Sequence, residues 1–261
     1  MNFIYGPVSS WRLGKSMGVD IINEKNAKVC SFDCVYCSLG ETERKTVKRR
    51  KFVDKLQIEK ELKKLPDEVE PDVFTISGTG EPTLGKNMVS IINLIKKYSS
   101  LPIAVITNSS LMDRKDVRED LSKADIVVGS LDSPNSKIFE KVNNPHPKIN
   151  FKKTVEGMKK FSKNYEGFFS LETMFVQKNK NFSKKMAKIA RKIEPDEVQI
   201  NTPLRASPAR SLNREEIQEV EKDFRNLEYR SVYNSETPQT KKIIGEEKLE
   251  LLKRSGKNDN E

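Results

Sequence analysis

The chain has 261 residues, 33% of them charged and 35% hydrophobic. That is long enough for a sizeable core and argues against a disordered polymer or a disulfide-stapled miniature, so one large domain with a small appendage is expected. Lys and Arg total 48 against 38 Asp and Glu, and the net charge of +10 suits acidic partners: nucleic acid, a phosphorylated substrate or an acidic electron carrier. No run approaches the roughly 18 apolar residues of a membrane span, and the text after Met1 has no apolar signal core, so a cytoplasmic protein without a membrane partner is expected.

A first strand is predicted near residues 17–22. Asp54 is placed to start a helix through Ile58, Leu62 and Leu65. Strand-length apolar runs follow at 73–77 (VFTIS), 102–107 (PIAVIT), 125–131 (DIVVGSL), 168–176 (FFSLETMFV) and 197–204 (EVQINTPL). Such near-continuous β-branched runs suit strands buried on both faces. Between them, Met88, Ile91, Ile92, Ile95 and Tyr98 share one helical face, as do Met186, Ile189, Ala190 and Ile193, and Asp113 with Asp116 is placed to begin another helix.

The alternation predicts an α/β fold: a parallel sheet with right-handed crossovers, about six βα units curved into a partial TIM-type barrel. Residues 1–212 form the core in this reading. Residues 213–261 form a C-terminal extension, with an outer helix over 213–227 and a charged stretch from 240 ending in a mobile GKNDNE. Chemistry in such barrels collects at the C-terminal strand ends, where small and polar residues stand: Gly78 to Glu81, Asn108 and Ser109, Ser130 and Asp132, Asn201 and Thr202.

All three cysteines lie on one short stretch, Cys30-Ser-Phe-Asp-Cys34-Val-Tyr-Cys37, a CX3CX2C spacing that lets three thiols converge on one inorganic centre. A structural zinc takes four ligands, and the only histidine, His146, is far off in an NNPHP turn. Inert buried thiols fit poorly with the polar Ser31 and Asp33. A four-iron four-sulfur cluster held by three thiolates leaves one iron with an open position, where metals do chemistry.

CX3CX2C with Tyr36 before its last cysteine resembles the signature of the radical S-adenosylmethionine (SAM) superfamily, and TGEP at 79–82 resembles its GGE motif, over about residues 15–205. The opening GPVSSWRLGKSMGVD further resembles small members grouped loosely with nitrogenase-cofactor and molybdopterin biosynthesis enzymes. The resemblance implies a [4Fe-4S] cluster on Cys30, Cys34 and Cys37 and SAM on its open iron. An oxidoreductase-like enzyme would then cleave SAM reductively to a 5′-deoxyadenosyl radical that abstracts hydrogen from a substrate. It also implies that Gly80 and Glu81 bind the SAM ammonium, with a carbonyl near Thr79 as a further acceptor. Asn108, Ser130 and Asp132 would meet its carboxylate or ribose, and Ile200 would wall the adenine beside Gln199 and Asn201.

Each residue also has a plainer role. Gly80 and Glu81 can form an ordinary turn closed by Pro82, Asn108, Ser130 and Asp132 can cap helices, and Ile200 can be core. Tyr36 either stacks near adenine or covers the cluster, with Phe32 beside it. Glu172 is a candidate substrate contact or an ion-paired barrel residue, and Arg205 holds an acidic substrate or is solvated. Met174 would floor the cavity if its strand turns it inward.

The basic run Lys45, Lys48, Arg49, Arg50 and Lys51 is either a solvated face or a docking patch for flavodoxin or ferredoxin, RNA or a phosphorylated small molecule. With every cysteine used, a second cluster of the usual kind is excluded. Besides the stand-alone enzyme, two other readings stay open: an activase of a glycyl-radical enzyme, and a non-catalytic metal- or RNA-binding module.

Overall fold

A computed structural model of the chain describes residues 3–24, 27–240 and 244–251. Among them, eight strands form one curled half-barrel sheet. In chain order the strands are β1 (Ile4–Ser10), β2 (Gly14–Val19), the short β3 (Val29–Cys30) and β4 (Arg44–Lys45), β5 (Val73–Ile76), β6 (Ile103–Thr107), β7 (Ile126–Ser130), β8 (Phe168–Met174), β9 (Glu197–Asn201) and β10 (Tyr229–Ser231). The large sheet runs β1-β2-β5-β6-β7-β8-β9-β10, while β3 and β4 pair separately.

From β2 to β10 every neighbour is parallel, and helices make the crossovers. They are α1 (Lys55–Leu62), α2 (Met88–Tyr98), α3 (Lys115–Leu121), α4 (Ser136–Asn143), α5 (Phe151–Asn164), α6 (Ser183–Ile193), α7 (Arg214–Glu221) and finally α8 (Glu246–Leu251).

The six expected strands are all present as β2 and β5 to β9, and two more flank them. β1 turns back antiparallel on β2, with a register shift between Tyr5 and Val8 where Pro7 stands. Proline is tolerated there because it is an edge strand, and the same residue hides the strand in the sequence. β10 adds an edge beyond α7, so part of the stretch after residue 212 joins the barrel sheet.

Asp54 caps α1 through a capping box with Gln57, as expected. Asp113 does not cap α3: Arg114 holds that position without a side-chain bond, and Asp116 lies in the first turn. The outer helix expected over 213–227 ends at Glu221 and tightens into a 3-10 turn at Lys222–Phe224. The expected mobility of the final GKNDNE concerns residues outside those described.

Strand alternation divides the sheet into two faces. Ile76, Ile103, Val105, Val127, Phe169 and Val198 are buried on the helix side against Met88, Ile92, Met158, Phe161 and Met186. The inner face is polar. Ser16, Thr75, Ser77, Glu172 and Asn201 line a cavity of about 480 Å³ together with Ile106 and Met174.

Candidate functional site

Cys30 ends β3, and Cys34 and Cys37 lie on the loop after it, all three free and partly buried. The loop closes the end of α4. The Asp33 N–H donates to the Asn143 and Asn144 carbonyls at 3.0 and 3.2 Å, and the Val35 N–H to the Val142 carbonyl at 2.9 Å. These are carbonyls a helix cannot satisfy internally at its C-terminus, so the loop's position follows from the helix's need. Within the loop, the Cys37 N–H donates to the Cys34 carbonyl at 3.1 Å.

Two of the sulfurs accept hydrogen bonds from amides. Cys30 Sγ takes the Phe32 N–H at 3.5 Å and Asn108 Nδ2 at 3.4 Å, and Cys34 Sγ takes Asn143 Nδ2 at 3.5 Å. Burial pushes the Cys30 thiol up to about 12, with the Glu81 carboxylate adding to it, and pushes Cys34 well above the ordinary thiol value, with Asp132 adding. Lys28 is buried beside them, its Nζ donating to the Gly40 carbonyl at 2.6 Å.

Amide donors on two of the sulfurs and an ammonium buried beside them would stabilise the thiolates that a metal centre requires. The donor set therefore fits an iron–sulfur cluster. The backbone of His146 does reach this loop, donating to the Ser31 carbonyl at 2.8 Å, but its ring Nδ1 accepts the Lys148 N–H. Among the described residues no three His, Cys, Asp or Glu side chains gather as a site for one ion, so a closed Cys3His zinc site has no assembled fourth ligand.

The TGEP turn runs along the first cysteine strand. The Val29 N–H donates to the Thr79 carbonyl, and the Glu81 N–H to the Val29 carbonyl, both at 3.1 Å. A Cβ on Gly80 would stand 1.9 Å from the Val29 carbonyl oxygen, so only glycine allows this approach. The buried Glu81 carboxylate accepts from the Thr83 N–H (3.0 Å), Thr83 Oγ1 (2.6 Å), Thr107 Oγ1 (2.6 Å) and the Asn108 N–H (2.7 Å). Burial raises its pKa while those donors hold it down. Glu81 thus ties the ends of β5 and β6 together and does not line the cavity.

The other expected contacts fall into three groups. Tyr36 and Cys37 do reach the cavity wall, with Glu172, Met174, Asn201 and Arg205. Asn108 stands behind the wall: its Nδ2 donates to Cys30 Sγ and, at 2.9 Å, to Ser31 Oγ. Ser130 donates to the Thr107 carbonyl at 3.4 Å, also off the cavity lining. Ile200 is turned away. The alternation that sends Asn201 inward sends Ile200 into the fully buried apolar core, so it walls no cavity.

Asp132 is not a helix cap either, since Asn135 caps α4. It is buried, taking the Tyr36 hydroxyl at 2.5 Å, Asn143 Nδ2 at 2.7 Å and the Met174 N–H at 2.9 Å. Burial lifts its carboxyl to about 6 even though these donors pull it down. Asn143 therefore touches both Cys34 and Asp132. Sequence reading missed it because its value depends on where α4 ends.

The basic run is only partly a surface patch. Arg49 is buried, bonded to the Thr83 carbonyl at 2.8 Å and paired with Asp116 and Asp120; Arg50 pairs with Glu24 and Lys51 with Asp54.

A half-barrel with three thiols gathered on its first loop, the last of them opening on a polar cavity, defines a class, and comparison with known proteins gives it a name. The profile of the radical SAM superfamily matches residues 27–202, and the chain belongs to that superfamily. It is an enzyme of this class, whose members imply a [4Fe-4S] cluster and SAM.

Among its relatives is a UPF0026 protein of Methanocaldococcus jannaschii, 36% identical over 259 residues, covering 97% of this chain and 75% of the relative. A protein named GTPase Obg in Brachyspira hyodysenteriae is 36% identical over 262 residues; the match takes in 95% of this chain but only 38% of that longer relative. A radical SAM methyltransferase from Sphaerobacter thermophilus shares the fold, with a TM-score of 0.58 at 14% identity over 84% of this chain and 66% of its own. Archaeal TYW1 does so as well, with a TM-score of 0.57 at 14% identity over 82% and 72%. No helix among the described residues is long and apolar enough to cross a membrane.

Proposed function

We propose that the chain binds SAM at the Cys37 end of the polar cavity and cleaves it reductively, releasing methionine and a 5′-deoxyadenosyl radical that takes a hydrogen atom from a substrate deeper in the barrel. When bound, the cluster supplies the electron and the coordination site for that cleavage. Cys30, Cys34 and Cys37 would hold it. The observation carrying this reading is the arrangement of three partly buried thiols on a stretch fixed by α4 and the TGEP turn, with Cys37 opening on the cavity.

The remaining residues act by binding and positioning. Tyr36, held by Asp132, forms a rigid wall beside Cys37. Gly80 and Glu81 set the distance between the cysteine strand and the barrel, while Asn108 and Asn143 donate to the sulfurs. Their part in SAM binding, in this reading, is to hold the walls, with the contacts made by Tyr36, Ser77 and the Gly78 backbone. Phe32 and Phe139 pack edge to face at 5.1 Å under the loop and keep water from it.

An acidic low-potential flavodoxin or ferredoxin suits the opposite side of the loop. There Lys141, Lys178 and Arg210 border a second cavity that reaches Cys34 and Cys37 and is also lined by Asp33, Glu41 and Glu140.

The test is anaerobic reconstitution with iron and sulfide, reduction with dithionite, and quantification of 5′-deoxyadenosine and methionine. Wild type forms both, and Cys30→Ala, Cys34→Ala and Cys37→Ala form neither. Undiminished cleavage in those variants refutes the reading.

A further inference from the structure

The family match begins at residue 27 and ends at 202, yet much of the cavity wall lies outside it. The β1–β2 hairpin supplies Ser9, Ser10, Trp11 and Arg12, and the segment after β9 supplies Arg205. This wall lies outside the part matched to the superfamily, and it carries two of the three charged side chains on the cavity lining, the third being Glu172.

Arg12 is an unusual arginine for this protein. Arg230 spreads its guanidinium over both Glu197 oxygens and the Trp11 and Arg12 carbonyls. Arg49 meets the Thr83 carbonyl and two carboxylates. In both, Nε, Nη1 and Nη2 each meet an acceptor. Arg12 has five donors and its side chain is 19% exposed, but among the described residues its buried Nε has no partner and its Nη1 has only an ion pair without hydrogen-bond geometry.

Its one ionic partner is Glu172, with Nη1 2.5 Å from Oε2, and its guanidinium leans toward the Trp11 ring at 5.9 Å. Glu172 is itself held by Asn201 Nδ2 on its other oxygen at 2.7 Å, so it and Asn201 are positioning residues for the guanidinium. Arg205, exposed on the same wall, has neither a hydrogen bond nor an ion pair among the described residues. Glu172 pairs with Arg12 alone, so the two guanidiniums leave a positive excess and unused donors on the cavity lining, a site that an anion would complete.

We propose that Arg12 and Arg205 form the anion-binding end of this cavity and that the substrate carries a carboxylate or phosphate group. The proposal rests on SAM filling the Cys37 end. It makes Arg12 and Arg205 substrate contacts, which orient the molecule by its charged group and leave its hydrogen-bearing part toward Cys37.

The test uses inorganic phosphate and citrate as probes, titrated calorimetrically into the reconstituted full chain saturated with SAM, with cluster content and SAM affinity recorded on the same samples. At least one probe binds wild type, and which one binds names the anion. Arg12→Gln and Arg205→Gln each weaken it about tenfold, the size expected for losing a charge-assisted contact, while the exposed Lys188→Gln on α6 leaves it unchanged. Because Arg205 is exposed, its variant folds even where Arg12→Gln does not.

Absence of binding by either probe, an equal loss in Lys188→Gln, or unchanged binding in both arginine variants overturns the proposal. So does an equal fall in SAM affinity in Arg12→Gln, which assigns the guanidinium to the SAM carboxylate. A chain that binds neither cluster nor SAM fails the earlier reading instead, and those two readouts show it.

Discussion

Lys248 brings its ammonium 2.5 Å from Asp20 Oδ2, with 5% and 1% of the two side chains exposed. The same carboxylate takes the Thr79 N–H at 3.2 Å and Thr79 Oγ1 at 2.7 Å, and its other oxygen takes the Ile22 N–H at 3.0 Å. One buried pair therefore ties α8, the end of β2 and the TGEP turn together. Gly78 shares the arrangement: at φ +144° it accepts Asp20 where a Cβ would lie 2.3 Å from the carboxylate carbon.

Removing one partner of such a pair leaves the other charge buried, so Lys248→Met destabilises by about 3 kcal/mol. Urea unfolding of Lys248→Met, Asp20→Asn and the double variant checks it. The double variant loses clearly less than the sum of the singles; a simple sum shows that the two charges do not depend on each other.

Asn143 is the side chain that joins the cysteine loop to the barrel, donating to Cys34 Sγ and Asp132 at once. Outer partners of metal ligands commonly contribute tenfold or more to retention, so Asn143→Ala loses its cluster to an iron chelator about tenfold faster than wild type. Asn143→Asp is worse, since it sets a second carboxylate against Asp132 and the sulfur. Chelation followed by iron-charge-transfer absorbance measures both, and wild-type rates in both variants would show that the amide has no part in holding the centre.

What the sequence reveals and what it hides divide along a physical line. The cysteine spacing and the runs of β5 to β9 are local, and they can be read without knowing the fold. Face is not local. Ile200 and Asn201 are adjacent, and only the register of β9 on β8 decides which one sees the cavity. Arg12 and Glu172 are 160 positions apart and meet only because β1 and β2 close one side of the sheet.

α4 and α5 were legible in principle. Ile138, Phe139 and Val142, then Phe151, Val155, Met158 and Phe161, repeat at helical spacing, and Asn135 and Asn150 cap them. The basic run shows the opposite failure, in which a charge cluster looks like one patch although Arg49 is buried in an ion-pair network.

If an acidic electron donor docks beside Cys34, reversing charge there slows the enzyme only when a protein supplies the electron. Lys141→Glu with Lys178→Glu lowers the rate of flavodoxin-driven SAM cleavage several-fold and steepens with falling salt, as rim charges act on association. Dithionite-driven cleavage stays at the wild-type rate. Equal slowing with both reductants, or none with flavodoxin, moves the docking site elsewhere.

The wall of that second cavity depends on Glu216. Its Oε1 takes Lys180 Nζ at 2.6 Å, Gln177 Nε2 at 3.0 Å and Arg210 Nη2 at 3.1 Å, while Oε2 takes the Asn213 N–H at 3.0 Å in the α7 capping box. The hydrogen bond from Lys180, with the others behind it, lowers the carboxyl from its ordinary 4.5 to about 2. A depressed carboxyl pKa stabilises the fold above the unfolded value, and that contribution is lost as pH falls from 4.5 through about 2. The cluster is partly solvated, so its worth is about 1 kcal/mol or less. Glu216→Gln is therefore less stable than wild type by about that amount at pH 7, and the gap narrows steadily below pH 4.5. Paired urea titrations at pH 7, 4 and 3 follow it, and a gap that stays constant across that range would mean that the charge of Glu216 is not what holds α7 to the segment carrying Gln177 and Lys180.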